Sequence, residues 1–154
     1  MSKSIPVHNK VYFTTVHAFV RLLLLEKDFV DAYEKIAIHM YPLHVSAGRR
    51  EANRIETAEL CRLGQMMYEM DENDHLITSC VSIAMTVQAI LFSAGYESDL
   101  LIGVKKIDEK LFSHAWVRLE DGRTIDPNHK GNDLKVLKTY NMSEYAERWV
   151  LSLG

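Results

Sequence analysis

Residues 78–104 read TSCVSIAMTVQAILFSAGYESDLLIGV, and the spacing of their apolar positions changes once, at Gly95. Before it, Cys80, Ile83, Ala84, Val87, Ile90, Leu91 and Ala94 recur at helical spacing. Thr78 or Ser79 can cap the first turn, and Gly95 suits the helix end. After it, Leu100–Val104 is a continuous apolar run, which predicts a strand buried on both faces. A helix-rich half therefore gives way to a strand-rich one at this point.

Toward the N-terminus the reading is helical throughout. Val11, Thr15, Ala18, Phe19, Leu22 and Leu25 predict an amphipathic helix over about residues 8–26, with that stripe facing the core. Asp28 caps a second helix with Phe29, Tyr33, Ile36, Ala37 and Met40 on its buried face, and Pro42 is expected to end it. His44–Gly48 reads as a loop. A third helix is expected from Glu51 to Met70, with Ala52, Ile55, Leu63, Met66, Met67 and Met70 on one stripe and the acidic run 71–74 closing it. Toward the C-terminus, Leu111–Leu119 predicts a strand carrying Phe112, His114, Trp116 and Arg118 on one face. Asp121-Gly122 signals a hairpin, Arg123–Asp126 returns, Leu134–Tyr140 can add a strand, and a short helix can follow from Ser143. Helices first and an antiparallel sheet second make an α+β fold. The expected organisation is one domain over residues 1–154, a helical half (1–75) followed by one helix plus the sheet (76–154).

The 154 residues carry 18 Lys+Arg against 21 Asp+Glu, a formal charge of −3, with 47% apolar residues, which is a globular composition. Slight acidity gives no footprint for a phosphate backbone, so no nucleic-acid partner is expected. The most apolar stretch, Ala18–Leu25, is interrupted by Arg21, so neither a membrane span nor a signal peptide is read. Cys61 and Cys80 have no CxxC pattern, which points to reduced thiols in a cytosol.

Cys80 stands in the first turn of its helix, where the dipole favours an anion and lowers a thiol pKa. Cys61 falls about 180° from the stripe of its own helix and far from either end, so it reads as packing or surface. A thiolate needs a base, and the base needs an acceptor that fixes its tautomer. His114, between Ser113 and Ala115, and Asp126, on the returning strand, can supply them. The hairpin allows a geometric test. A two-residue Asp121-Gly122 loop puts His114 and Asp126 on opposite faces. A three-residue loop, Glu120-Asp121-Gly122, pairs Leu119 with Arg123 and puts Asp126 opposite Trp116, on the face of His114. Diagonal neighbours are then about 7–8 Å apart at Cα, within reach for the two side chains. The chemistry requires the three-residue loop. Trp116 can wall the pair from water or simply pack.

Ser79-Cys80-Val81, the run Leu-Leu-Ile-Gly-Val-Lys-Lys at 100–106, Ser-His-Ala-Trp-Val-Arg-Leu at 113–119 and Asp-Gly-Arg-Thr-Ile-Asp at 121–126 resemble the lasso-peptide leader peptidases. These are transglutaminase-like, papain-like cysteine proteases of bacteria that remove the leader from a ribosomally made precursor before a cyclase knots the core peptide. The family triad is a Cys, a His in His-Ala-Trp and an Asp twelve positions on. The positions that match are Cys80, His114 and Asp126, with Cys80 34 before His114. Where many members carry Arg-Cys-Leu, this chain has Ser79-Cys80-Val81. The resemblance implies a cytosolic cysteine peptidase with no cofactor and no metal. Its implied partners are a precursor peptide, a cyclase and a separate leader-recognition protein, because residues 1–75 show no strand pairs for a fused recognition domain.

Three rival readings follow from the same residues. Cys80, His114, Asp126 and His129 could ligate zinc, although no HExxH or CxxC pair accompanies them. The chain could be a non-catalytic peptide-binding module, or an amidase or acyltransferase using the same three residues. His8, His17, His39, His44 and His75 lack ligand spacing and read as surface or capping residues.

Overall fold

The helix read at residues 80–94 is the centre of the molecule. In the computed structural model, which describes residues 7–50, 54–74, 79–128, 131 and 133–154, it is α4 (Cys80–Ser93), and residues on every side of it from Ser82 to Phe92 are buried. A helix apolar all round has to be enclosed. The enclosing elements are α1 (Val7–Glu26), α2 (Phe29–Ala47) and α3 (Arg54–Asp74) together with a four-stranded sheet. The sheet comprises β1 (Ser98–Ile107), β2 (Lys110–Leu119), β3 (Thr124–Ile125) and β4 (Lys135–Tyr140), in the order β3-β2-β1-β4 with every pair antiparallel. A last helix, α5 (Met142–Leu153), packs on α2 and is capped by Asn141. The α+β class is the one the sequence predicts.

The buried polar residues of α4, Ser82, Thr86 and Gln88, all have hydrogen-bond partners, as burial demands, and Gln88 ties the layers together. Gln88 accepts from the Tyr33 hydroxyl of α2 at 2.8 Å and donates to the carbonyls of Ser98 and Tyr140 at 3.0 and 3.2 Å. Thr86 donates to the Ser82 carbonyl one turn back.

Several expectations need correction. The predicted core stripe of α1 faces solvent: Val11, Leu22 and Leu25 are 58%, 59% and 67% exposed, and Thr15, Ala18 and Phe19 are exposed too. The buried face is Phe13, Val16, His17 and Val20. Both faces of α1 are apolar, so periodicity alone could not choose between them. His17, read as surface or capping, is 1% exposed because its Nε2 pairs with the Ser82 hydroxyl at 3.0 Å. Pro42 does not end α2, and residues 44–47 are helical rather than looped. The last turn survives because His44 is anchored on α4: its Nδ1 meets the Phe92 carbonyl at 2.9 Å, its ring stacks on Phe92, and its Nε2 lies 3.2 Å from Glu97. The helix stops at Gly48, whose φ of +74° is glycine territory. The third helix extends to Asp74, through the acidic run, and its expected start at 51–53 lies outside the described residues.

The β1–β2 turn is built from Asp108 and Glu109, both left-handed (φ 48° and 68°), as a two-residue primed hairpin turn requires. Past β2 the ladder pairs Val117 with Ile125 and Arg118 with Thr124. Leu119 N–H then bonds the Arg123 carbonyl at 2.8 Å, which leaves residues 120–122 as a three-residue loop with Gly122 at φ +92°. Continued one step, this register sets Trp116 opposite Asp126.

Candidate active site

Each of the three predicted residues is held by a different element. Cys80 is the first residue of α4. Ser79 caps that helix: its hydroxyl accepts from the Ser82 N–H at 3.1 Å, while the Ser82 hydroxyl accepts from the Ser79 N–H at 3.1 Å. This reciprocal box fixes the first turn. His114 sits on β2, opposite Gly103 of β1. Asp126 directly follows β3.

The structure brings all three together. His114 Nε2 lies 2.7 Å from Asp126 Oδ1, with the His114 side chain almost fully buried. Cys80 is hydrogen-bonded to the His114 ring and to the backbone N–H groups of Ala115 and Val81. Burial disfavours the Cys80 thiolate, but the imidazole and the two N–H groups outweigh it, and the thiol pKa falls below its ordinary value. Burial likewise disfavours the imidazolium, but the bonds to Asp126 and Cys80 prevail and raise His114 to about 9. A lowered thiol beside a raised imidazole favours the thiolate–imidazolium pair, which suits attack on a carbonyl carbon.

Three positions the sequence reading passed over shape this site. Gly131 donates its N–H to Asp126 Oδ2 at 2.6 Å, so both carboxylate oxygens are engaged. A Cβ on Gly131 would stand 2.8 Å from that oxygen and 3.0 Å from the Trp116 ring. Gly103 admits the far edge of the same indole, where a Cβ would stand 2.8 Å from Trp116 Cη2. Trp116 is thus held between two glycines, with its ring 14° from parallel to that of His114. The third is Gly64 on α3, where a Cβ would stand 2.4 Å from Pro127 Cγ, next to Asp126. Gly64 and Gly103 left a signal in the sequence, as glycines inside a helical and a strand pattern.

Cys61 stays apart, half-buried in the middle of α3; burial and the nearby Asp126 charge push its thiol pKa up. His129, which a zinc site would need, lies outside the described residues. Two cavities of about 190 and 270 Å³ share Arg50 and Tyr96 in their walls; neither touches Cys80, His114 or Asp126. Among the described residues, no helix is long and apolar enough to cross a membrane.

Comparison with known families matches residues 23–139 to the transglutaminase-like superfamily. The match runs from late α1 to the end of β4 and includes all three site residues. No curated protein and no solved structure matches the chain.

Proposed function

The chain belongs to the transglutaminase-like superfamily, and from that premise we propose that it is a cysteine peptidase of lasso-peptide maturation. It removes the leader from a ribosomally made precursor in the cytosol, acting with a separate leader-recognition protein and upstream of a cyclase. The observation that carries the reading is the relay Asp126–His114–Cys80, with its 2.7 Å carboxylate–imidazole bond and a thiol lowered by that imidazole. The His114-Ala115-Trp116 motif and the twelve-residue spacing to Asp126 support the choice of substrate class.

In this mechanism the Cys80 thiolate attacks the carbonyl carbon of the leader–core bond. The C=O electrons move onto oxygen, and the Cys80 backbone N–H, in the first turn of the helix, hydrogen-bonds that oxyanion. His114, already protonated, gives its proton to the leaving amine as the C–N bond breaks. The resulting thioester is attacked by water, whose proton His114 accepts, and the thiolate departs. Asp126 holds the imidazole in place and stabilises its positive charge through both steps.

A leader tethered to a second protein raises the local concentration of the scissile bond to roughly millimolar. Cleavage of a cognate precursor, followed by mass spectrometry, is therefore expected to be slow with this chain alone and fast once the leader-binding protein is added. Equal rates at low micromolar precursor would defeat the partner requirement, and failure to cleave with the partner present would defeat the peptidase reading.

A further inference from the structure

Attack by Cys80 places negative charge on a carbonyl oxygen, and a backbone N–H is one donor for it. A second donor would come from a side chain near Cys80 with an uncommitted N–H or O–H. Tyr68 on α3 meets that description.

Its position follows from how α3 lies on α4. Gly64 packs against Ile83 Cγ2 and Pro127. Toward the start of α3, Leu60 and Leu63 share a cavity wall with Ile90 and Leu91. Rising numbers on α3 therefore meet falling numbers on α4. Tyr68 is one turn beyond Gly64 and on the same face, and Cys80 is one turn before Ile83. The two helices thus carry Tyr68 to the start of α4, within electrostatic reach of both Cys80 and Asp126. The side chain is half-buried and packs against the core.

Its hydroxyl is uncommitted. The hydroxyls of Tyr12, Tyr33 and Tyr96 are bonded to Ser93, Gln88 and Glu56 respectively. That of Tyr68 has no hydrogen-bond partner among the described residues. Burial first, and then the charges of Cys80 and Asp126, push its pKa well up, so the phenol keeps its proton at neutral pH. A neutral O–H beside an anionic nucleophile is a donor without being a competing acid.

We propose that the Tyr68 hydroxyl donates a hydrogen bond to the carbonyl oxygen of the bond that Cys80 attacks, as the side-chain partner of the Cys80 N–H. The inference rests on the acyl-transfer reading given above. The donor stays protonated throughout; its bond shortens as charge builds on the oxygen and loosens when the carbonyl re-forms.

Two reactions of the same thiol separate this role from mere positioning. With p-nitrophenyl acetate, Cys80 forms an S-acetyl thioester and releases p-nitrophenolate through an oxyanion. With iodoacetamide, it displaces iodide at a saturated carbon and no oxyanion forms. In Tyr68→Phe, the acetylation rate is expected to fall about tenfold or more, while Cys80 alkylation stays within about twofold because the hydroxyl plays no part in it. Unchanged acetylation would overturn the proposal. So would a parallel loss in both reactions, which would make Tyr68 a prop for Cys80. Cys80→Ala is the control for the premise: ester cleavage that survives it would overturn the proposed function, whereas normal acetylation in Tyr68→Phe with none in Cys80→Ala overturns only the role of Tyr68.

Discussion

The molecule's two cysteines sit on neighbouring helices, and the same carboxylate, Asp126, drives them in opposite directions. At Cys61, in the middle of α3, Asp126 adds bare negative charge to the cost of burial, and the thiol pKa rises. At Cys80 an imidazole stands between thiol and carboxylate. There Asp126 stabilises a positive ring, the ring stabilises the thiolate, and the thiol pKa falls. Burial opposes ionisation at both sites. What separates them is one interposed histidine and a place at a helix start, where the Val81 N–H favours the thiolate. Charge near a cysteine does not by itself make it reactive; the order of the groups does.

The largest test removes one member of each pair. Cys80→Ala is expected to abolish precursor cleavage, and Cys61→Ala to leave it within about twofold, since loss of a covalent nucleophile removes most of a rate. Equal loss in two folded variants would erase the distinction. His114→Ala is expected to match Cys80→Ala, because residues that act as a unit lose activity together. A folded His114→Ala enzyme with near-normal turnover would break the relay at its centre.

A smaller loss is expected from Asp126→Asn, and its pH profile says more than its size. The competent form has Cys80 ionised and His114 protonated. As pH rises through about 9, His114 loses the proton that the leaving amine needs, and kcat/KM falls. As pH falls through the Cys80 pKa, the thiolate is quenched. Asp126 raises His114, so Asp126→Asn moves the alkaline limb to lower pH. A profile with an unmoved alkaline limb would detach Asp126 from the imidazole. Below this in size comes Gly131→Ala: the new Cβ meets Asp126 Oδ2 and the Trp116 ring, and a displaced carboxylate is expected to lower kcat about tenfold with KM little changed.

The same contrast between local and long-range information decides what the sequence discloses. The hairpin carrying His114 and Asp126 was legible because a strand alternates strictly. Only the loop length was open, and the chemistry required three residues, which is the loop the ladder shows. The capped start of α4 was legible from Ser79 because a cap is a local hydrogen bond. The faces of α1 were not, because Val11, Leu22 and Leu25 form as good a stripe as Phe13, Val16 and Val20, and only the position of α4 decides which is covered. Pro42 misled for a related reason: the contacts of His44 with Phe92 and Glu97 lie some 50 residues away in sequence. Gly131 and Tyr68 were hidden because their meaning comes from Asp126 and Cys80, which only folding brings beside them.

The smallest expected effect is the sharpest test of the opposition between the two thiols. Asp126→Asn removes one negative charge from both surroundings. At Cys61 that charge only raises the thiol pKa, and it ranks second to burial, so its loss lowers the value slightly. At Cys80 the loss weakens the imidazolium that holds the thiolate, so the value rises. The two cysteines should therefore approach each other in one variant, Cys80 by the larger step. Site-resolved mass spectrometry of iodoacetamide alkylation across pH gives both titrations in one experiment. In the parent, Cys80 alkylates well before Cys61 as pH rises; in Asp126→Asn the gap narrows from both sides. Movement of both thiols in the same direction would mean that Asp126 acts on Cys80 as plain charge, and that the imidazole does not relay it.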